Sequence, residues 1–423
     1  MCDKRLARRK ATMKFRSVSL ALVTCFFAPT GCASAPEQTG ASEDAIVDVA
    51  HTDVERQSIG NCWLYAHASW AESMHKTATG EDFDVSQSYW TYWHWFDQIT
   101  RSGVSTIQTG GNWSTANGIV SKYGLMAEKD FIDADTLSEM SSRQKQALDS
   151  INEELKRGEL SNYDARRDKA TVRRVLDRAW RLPAEKTAML DQVFGASVSR
   201  TFSASWYSAD ASGTPIIKAR AFDVAYASRP GGDLKRTSLE TAMYDWRQVY
   251  YSRGDRSLLL KVQEALHDAQ PVIISWFVDF NAMENRANER MGSFNISTLA
   301  EFGPGSQGGH MTVLEDYEAT LEDGTLLKAG VTLDPSNPDE KSLLDSALAP
   351  STEIKFLRVK NSWGGYRPDR AFSPGMPGYH DLYLEYLDGP VKRCATKSNG
   401  DTDTTNCPTE ITPLQYFIMP PGY

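Results

Sequence analysis

The sequence has little of what most catalytic and binding chemistries require. No spacing of histidines and cysteines matches a metal site, and no Walker-type loop is present. Zinc and Walker-type nucleotide chemistry therefore lack residues to carry them, and no metal or organic cofactor is implied. Asp334, Asn337 and Asp339 could hold calcium, but a Pro-bounded turn accounts for them equally well. No internal repeat appears, which excludes a solenoid or propeller array. Cationic excess is also missing: 46 Lys and Arg stand against 55 Asp and Glu, a net charge of −9 at pH 7. Nucleic-acid binding usually shows a basic face, so no nucleic-acid partner is expected.

Long apolar runs are absent too. Val18 to Ala28 is apolar but too short to span a bilayer stably. Lys4, Arg5, Arg8, Arg9, Lys10, Lys14 and Arg16 surround its start and small residues follow it, the layout of a targeting segment. Its end, Pro29-Thr30-Gly31-Cys32-Ala33-Ser34, resembles a bacterial lipoprotein processing site, with Cys32 becoming the lipidated first residue. Pro29 stands where that pattern usually has Leu. The alternative is ordinary cleavage after Ala35, a bond that Pro36 should hinder. Both routes export the protein, either to the cell envelope through a lipid anchor on the membrane or as a secreted chain. Removing residues 1–31 takes away seven positive charges and one negative, leaving 39 against 54. Residues 32–50 are Ser, Ala, Glu, Gln and Gly with little to bury, a flexible tether.

Cysteine is scarce, with six in the chain. Cys2 and Cys25 leave with the signal and Cys32 would carry lipid. Cys394 and Cys407 flank a polar loop in the segment 391–423, read as a C-terminal tail. An exported protein can join them as a disulfide, which a loop-entropy argument values at ~3 kcal/mol. Two free thiols in the tail are the alternative. Cys62 remains for chemistry.

What is there begins at Gln57-Ser58-Ile59-Gly60-Asn61-Cys62-Trp63. A Gly-Asn turn delivers Cys62, and helix-compatible residues start behind it. A thiol at a helix N-terminus faces unpaired N–H groups and the positive end of the macrodipole, which favour an anion. The spacing therefore predicts a thiol pKa below ~8.5 and a reactive thiolate. A nucleophilic thiol also needs a base, and the base an orienting group. Gly308-Gly309-His310 and Asn361-Ser362-Trp363-Gly364 offer both.

Gly60-x-Cys62-Trp63, followed by the His310 and Asn361 stretches in that order, resembles the papain-like cysteine peptidases. Gly110-Gly111-Asn112-Trp113, with Ser86-Gln87-Ser88-Tyr89 before it, places the resemblance nearest the bleomycin hydrolase and aminopeptidase C branch. The resemblance implies a papain-like α+β fold of two lobes, one helical with Cys62 and one β-rich with His310 and Asn361. It also implies thiol-dependent hydrolysis of a peptide or protein substrate through an acyl-enzyme. Cys62 would be the nucleophile, His310 its base, and Asn361 the group that holds the ring; Trp363 would cover the Asn–His bond. Gln57 would donate to the oxyanion, although it lies one residue closer to the cysteine than is usual. Gly110 and Gly111 would let a peptide backbone approach the cleft edge. A catalytically silent papain-fold lipoprotein that binds peptides or envelope partners is the alternative.

The resemblance covers about 51–130 and 256–390, within a domain drawn as 51–390. His310 follows Cys62 by 248 residues, where papain's histidine and asparagine come ~130–150 residues after its cysteine. A mainly helical insertion at about 128–255 accounts for most of the excess. It should be charged and helical over 137–182, then strand-like near Ser205–Ser208 and Ile216–Ala219. The Cys62 helix should end at Gly80, and His67 on it should lie on a polar face. Ser86 should cap a second helix too aromatic for one face, hence buried between two layers. Strands are expected over Pro271–Val278, Met311–Leu321, Thr325–Leu333, Phe356–Lys360 and Gly378–Leu384.

Overall fold

The computed structural model describes residues 49–423 apart from 206 and 368, all in one compact unit. The targeting segment, Cys32 and most of the tether lie outside the described residues. The fold is α+β, as expected. No helix among the described residues is long and apolar enough to cross a membrane.

The helical half is built on α1 (Cys62–Thr79), α2 (Gln87–Asp97) and α3 (Trp113–Tyr123). α1 ends where Gly80 takes a left-handed φ of 76° and returns its N–H to the Lys76 carbonyl. Ser86 caps α2, its Oγ accepting from the Tyr89 N–H at 3.2 Å. Six aromatics of α2, Tyr89, Trp90, Tyr92, Trp93, Trp95 and Phe96, are all buried. Helices of the insertion, chiefly Ser142–Arg157, Lys169–Ala179 and Ala184–Phe194, explain how. Trp180 packs on Trp95 at 5.2 Å, while Trp93 stacks on Tyr123 of α3 at 4.1 Å. The insertion thus forms one core with the cysteine helix.

His67 departs from its polar-face reading. It is buried among Trp70, Trp90 and Trp113, and neither ring nitrogen has a hydrogen-bond partner. Trp90 and Trp113 come from α2 and α3, beyond the reach of a periodicity argument on α1.

The strands are β1 (Asp223–Ala227), β2 (Leu234–Ser238), β3 (Arg247–Tyr250), β4 (Ile273–Asp279), β5 (Gln307–Thr320), β6 (Leu326–Leu327), β7 (Glu353–Lys360) and β8 (Tyr379–Tyr383). Four short strands follow, β9 (Val391–Arg393), β10 (Ala395–Thr396), β11 (Thr402–Asp403) and β12 (Thr409–Ile411), before β13 (Leu414–Met419). The main sheet has the order β3-β13-β4-β5-β7-β8 and is antiparallel throughout. One face, with Ile273, Met311, Val313 and Ile418, joins the helical core; the other, with Ile274, Trp276, Leu314 and Leu357, forms a second core.

Several expected strands differ. Ser208 and Ile217 form only isolated bridges, and the regular strands of the insertion come later, at β1 to β3. Beyond β5 the returning strand is only two residues long. The supposed tail supplies β13, a central strand, and Cys394 and Cys407 are joined by a disulfide. Leu414, Phe417, Ile418 and Met419 are buried, so leaving this strand unpaired would expose both apolar side chains and backbone groups.

Buried polar contacts tie α1 and the segment before it to the sheet. Lys360, at the end of β7, donates to Thr52 Oγ1 at 2.9 Å and to Ser69 Oγ of α1 at 3.2 Å. His51 meets Glu315 of β5 at 2.6 Å, and within the sheet Arg358 of β7 meets Asp381 of β8 at 2.7 Å.

Candidate active site

The site forms where the N-terminus of α1 meets the sheet. Cys62 is the first residue of α1 and only 8% exposed. Backbone N–H groups of Met311, Trp63 and Cys62 itself face its sulfur and favour the thiolate. Burial opposes them and prevails, pushing the thiol up to about 11. This corrects the lowered pKa that the helix terminus alone implies: the N–H groups of Trp63 and Cys62 do favour the thiolate, but burial outweighs them.

Met311 directly follows His310 on β5, so the thiol lies beside the backbone that carries the imidazole. Among the described residues no hydrogen bond joins Cys62 to His310. The His310 ring is enclosed between Trp276, edge-on at 5.7 Å, and Trp363, stacked at 4.7 Å. Its Nε2 lies 2.7 Å from Asn361 Oδ1, which leaves Nδ1 outside that bond. Burial lowers the His310 pKa to about 4, the Asn361 bond resists, and nearby Arg370 lowers it further. Both shifts disfavour the charged forms of the two groups.

Asn361 sits just past β7, and its Oδ1 also accepts from the Ser362 N–H at 2.8 Å. Its Nδ2 lies 3.3 Å from Nδ1 of His380, on β8. Trp363 is 4% exposed and carries the Arg370 guanidinium 4.3 Å from its ring centroid. Gln57 reaches the same corner: its N–H bonds the Ser362 carbonyl, and its Oε1 accepts from Ser362 Oγ at 2.7 Å. Its Nε2 donates to the Ile59 carbonyl at 2.7 Å, which leaves one amide hydrogen for a ligand. The structure thus brings Cys62, His310, Asn361, Trp363 and Gln57 together.

Gly110 and Gly111 lie in an exposed extended stretch over Trp63, whose Nε1 donates to the Thr109 carbonyl at 3.0 Å. A Cβ on Gly111 would fall 2.4 Å from the Trp63 ring, whereas one on Gly110 would meet nothing within 4 Å. Gly111 is there for packing, and Gly110 keeps its backbone open.

Three neighbours escape the sequence reading. His380 falls within an expected strand, Tyr416 within the expected tail, and Arg370 in no expected element. Tyr416 pairs with Ser275, and Ser275 with Met311, across β13, β4 and β5. Its hydroxyl stands 3.7 Å from Met311 Sδ, close enough to Cys62 to feel a thiolate charge. No sequence signal pointed to these residues, because none belongs to a local motif.

Glu55, Asp84 and Glu128 also converge, with carboxylate oxygens within 4.8 Å of one another. Burial raises the pKa of each, that of Glu128 to about 9, and Glu128 shares a hydrogen bond with Asp84. The nearby Lys360 opposes that rise at Glu55 and Asp84.

No family model matches this sequence, and no curated protein sequence does. Among solved structures, PepW from Lactobacillus rhamnosis HN001 is 13% identical, with 90% of this chain and 82% of that chain covered and a TM-score of 0.43. Xylellain, a cysteine protease from Xylella fastidiosa, is 12% identical, with 92% and 91% covered and a TM-score of 0.35. Similarity this low leaves function to be argued from the side chains.

Proposed function

We propose that this protein is a papain-like cysteine peptidase, exported and lipid-anchored through Cys32, that hydrolyses peptide bonds without metal or organic cofactor. The observation that carries the reading is the His310–Asn361 bond, roofed by Trp363, beside a sulfur ringed by backbone N–H groups. In this reading His310 takes the Cys62 proton through Nδ1, and the thiolate attacks the scissile carbonyl. The tetrahedral oxyanion is met by backbone N–H at the α1 terminus and by the spare hydrogen of Gln57 Nε2. Imidazolium then protonates the leaving amine, and water attacks the thioester with His310 again as base. Gly110 would pair with the substrate backbone. A turn about the Cys62 side chain must bring sulfur to the imidazole, and the resulting ion pair would offset the burial that now holds both groups neutral.

The raised thiol pKa and the missing Cys–His bond favour a second reading, a silent papain-fold lipoprotein that binds peptides or envelope partners. Profiling free and N-blocked peptides, together with labelling of Cys62 by an epoxide thiol-protease inhibitor, separates the two. Turnover abolished in Cys62→Ala supports the peptidase; a folded, unlabelled and inactive protein supports the binder. Anchoring is tested by metabolic fatty-acid labelling, which Cys32→Ala should remove.

A further inference from the structure

We infer that His380 is a positioning residue that sets which way round the Asn361 carboxamide sits, and so whether Asn361 presents oxygen to His310. The kinetic consequence rests on the peptidase reading; the geometry does not.

An asparagine side chain has two donors on one side and an acceptor on the other, so a half-turn exchanges them. Here Oδ1 takes two contacts, His310 Nε2 at 2.7 Å and the Ser362 N–H at 2.8 Å. Reversed, Nδ2 would meet two donors. Nδ2 instead points at His380 Nδ1, 3.3 Å away, which must carry a lone pair to accept. The His380 proton then belongs on Nε2, which forms no hydrogen bond of ordinary geometry and has only a weak contact with the Ala371 backbone. A buried ring N–H so poorly partnered is costly. Phenylalanine would fill the aromatic surroundings of Trp363, Phe294 and Phe372 without that cost. What histidine adds toward Asn361 is the acceptor at Nδ1.

The surroundings keep that acceptor available. His380 is fully buried, and its pKa is lowered to about 3, by burial first and then by His310 and Arg370. A backbone contact at Ala371 pulls weakly the other way. The ring is thereby kept neutral, and the Asn361 Nδ2 contact selects the tautomer with its lone pair on Nδ1.

The test uses the whole protein and two variants. ¹⁵N NMR of the parent should show Nδ1 of His380 unprotonated and Nε2 protonated; the opposite tautomer overturns the inference, whatever the variants do. His380→Phe keeps the ring and removes the acceptor. It should lower kcat on the order of tenfold with KM changed less than about twofold. His380→Asn, whose Oδ1 falls near the position of Nδ1, should recover most of that loss. Full kcat in His380→Phe, or equal losses in both variants, overturns the inference while leaving the peptidase reading intact. If the parent cleaves no peptide, that reading fails instead, and the His310 imidazole resonances decide. They should move in His380→Phe and return in His380→Asn; resonances unmoved in both overturn the positioning role.

Discussion

The Trp363 indole lies almost flat on the His310 imidazole, with planes 19° apart and centroids separated by 4.7 Å. It closes one side of the His310–Asn361 bond, and Arg370 sits over the same indole. Trp363→Ala should open that bond to water, lower kcat about tenfold and cost ~3–5 kcal/mol of stability. Trp363→Phe should recover most of the stability. Steady-state kinetics and thermal unfolding check both, and an unchanged kcat in the alanine variant would remove the shielding role.

Cys62 should react as a buried thiol while no substrate is bound. With its pKa at about 11, the thiolate fraction grows about tenfold per pH unit from 7 to 10. Alkylation by iodoacetamide should follow that slope. A rate that is fast and level from pH 5 to 8 would mean that a thiolate–imidazolium pair already exists at rest.

The two glycines over Trp63 should behave differently. Gly111→Ala drives a methyl into the indole and should cost about 1–3 kcal/mol. Gly110→Ala meets open space, so its melting temperature should stay near the parent's while KM rises. A destabilised Gly110→Ala, or an unchanged KM, would contradict the substrate-edge assignment.

Acid should weaken the fold through His67. Burial moves its pKa from 6.5 to about 3, so below pH 6.5 the unfolded chain binds a proton that the folded chain refuses. Stability is therefore full above pH 6.5 and falls as pH drops toward 3, by roughly 2–3 kcal/mol at pH 4.5. His67→Leu should flatten that acid limb in melting curves. His94 and His267, both lowered to about 4 by burial, keep it from vanishing. A variant as acid-sensitive as the parent would refute the assignment.

Much of this is legible in the chain itself. The turn before Cys62, the stop at Gly80, the cap at Ser86 and the all-round apolar character of α2 are local, set by residues a few positions apart. The residues brought to one corner, Gln57, Cys62, His310, Asn361 and Trp363, were named from short motifs for the same reason. The insertion is legible as a mainly helical segment, but the joining of its Trp180 and Trp246 to the core of the cysteine helix is not. Nothing local announces a packing partner a hundred residues away.

Helix ends, motif order and candidate nucleophile were determined by sequence alone, because backbone preference and capping act within a turn or two. The protonation state of Cys62, the place of β13 in the sheet and the partnership of Asn361 with His380 were decided only by tertiary structure. Ionisation depends on how much water reaches a group and on which dipoles face it, and both are supplied by segments that meet only when the chain has folded.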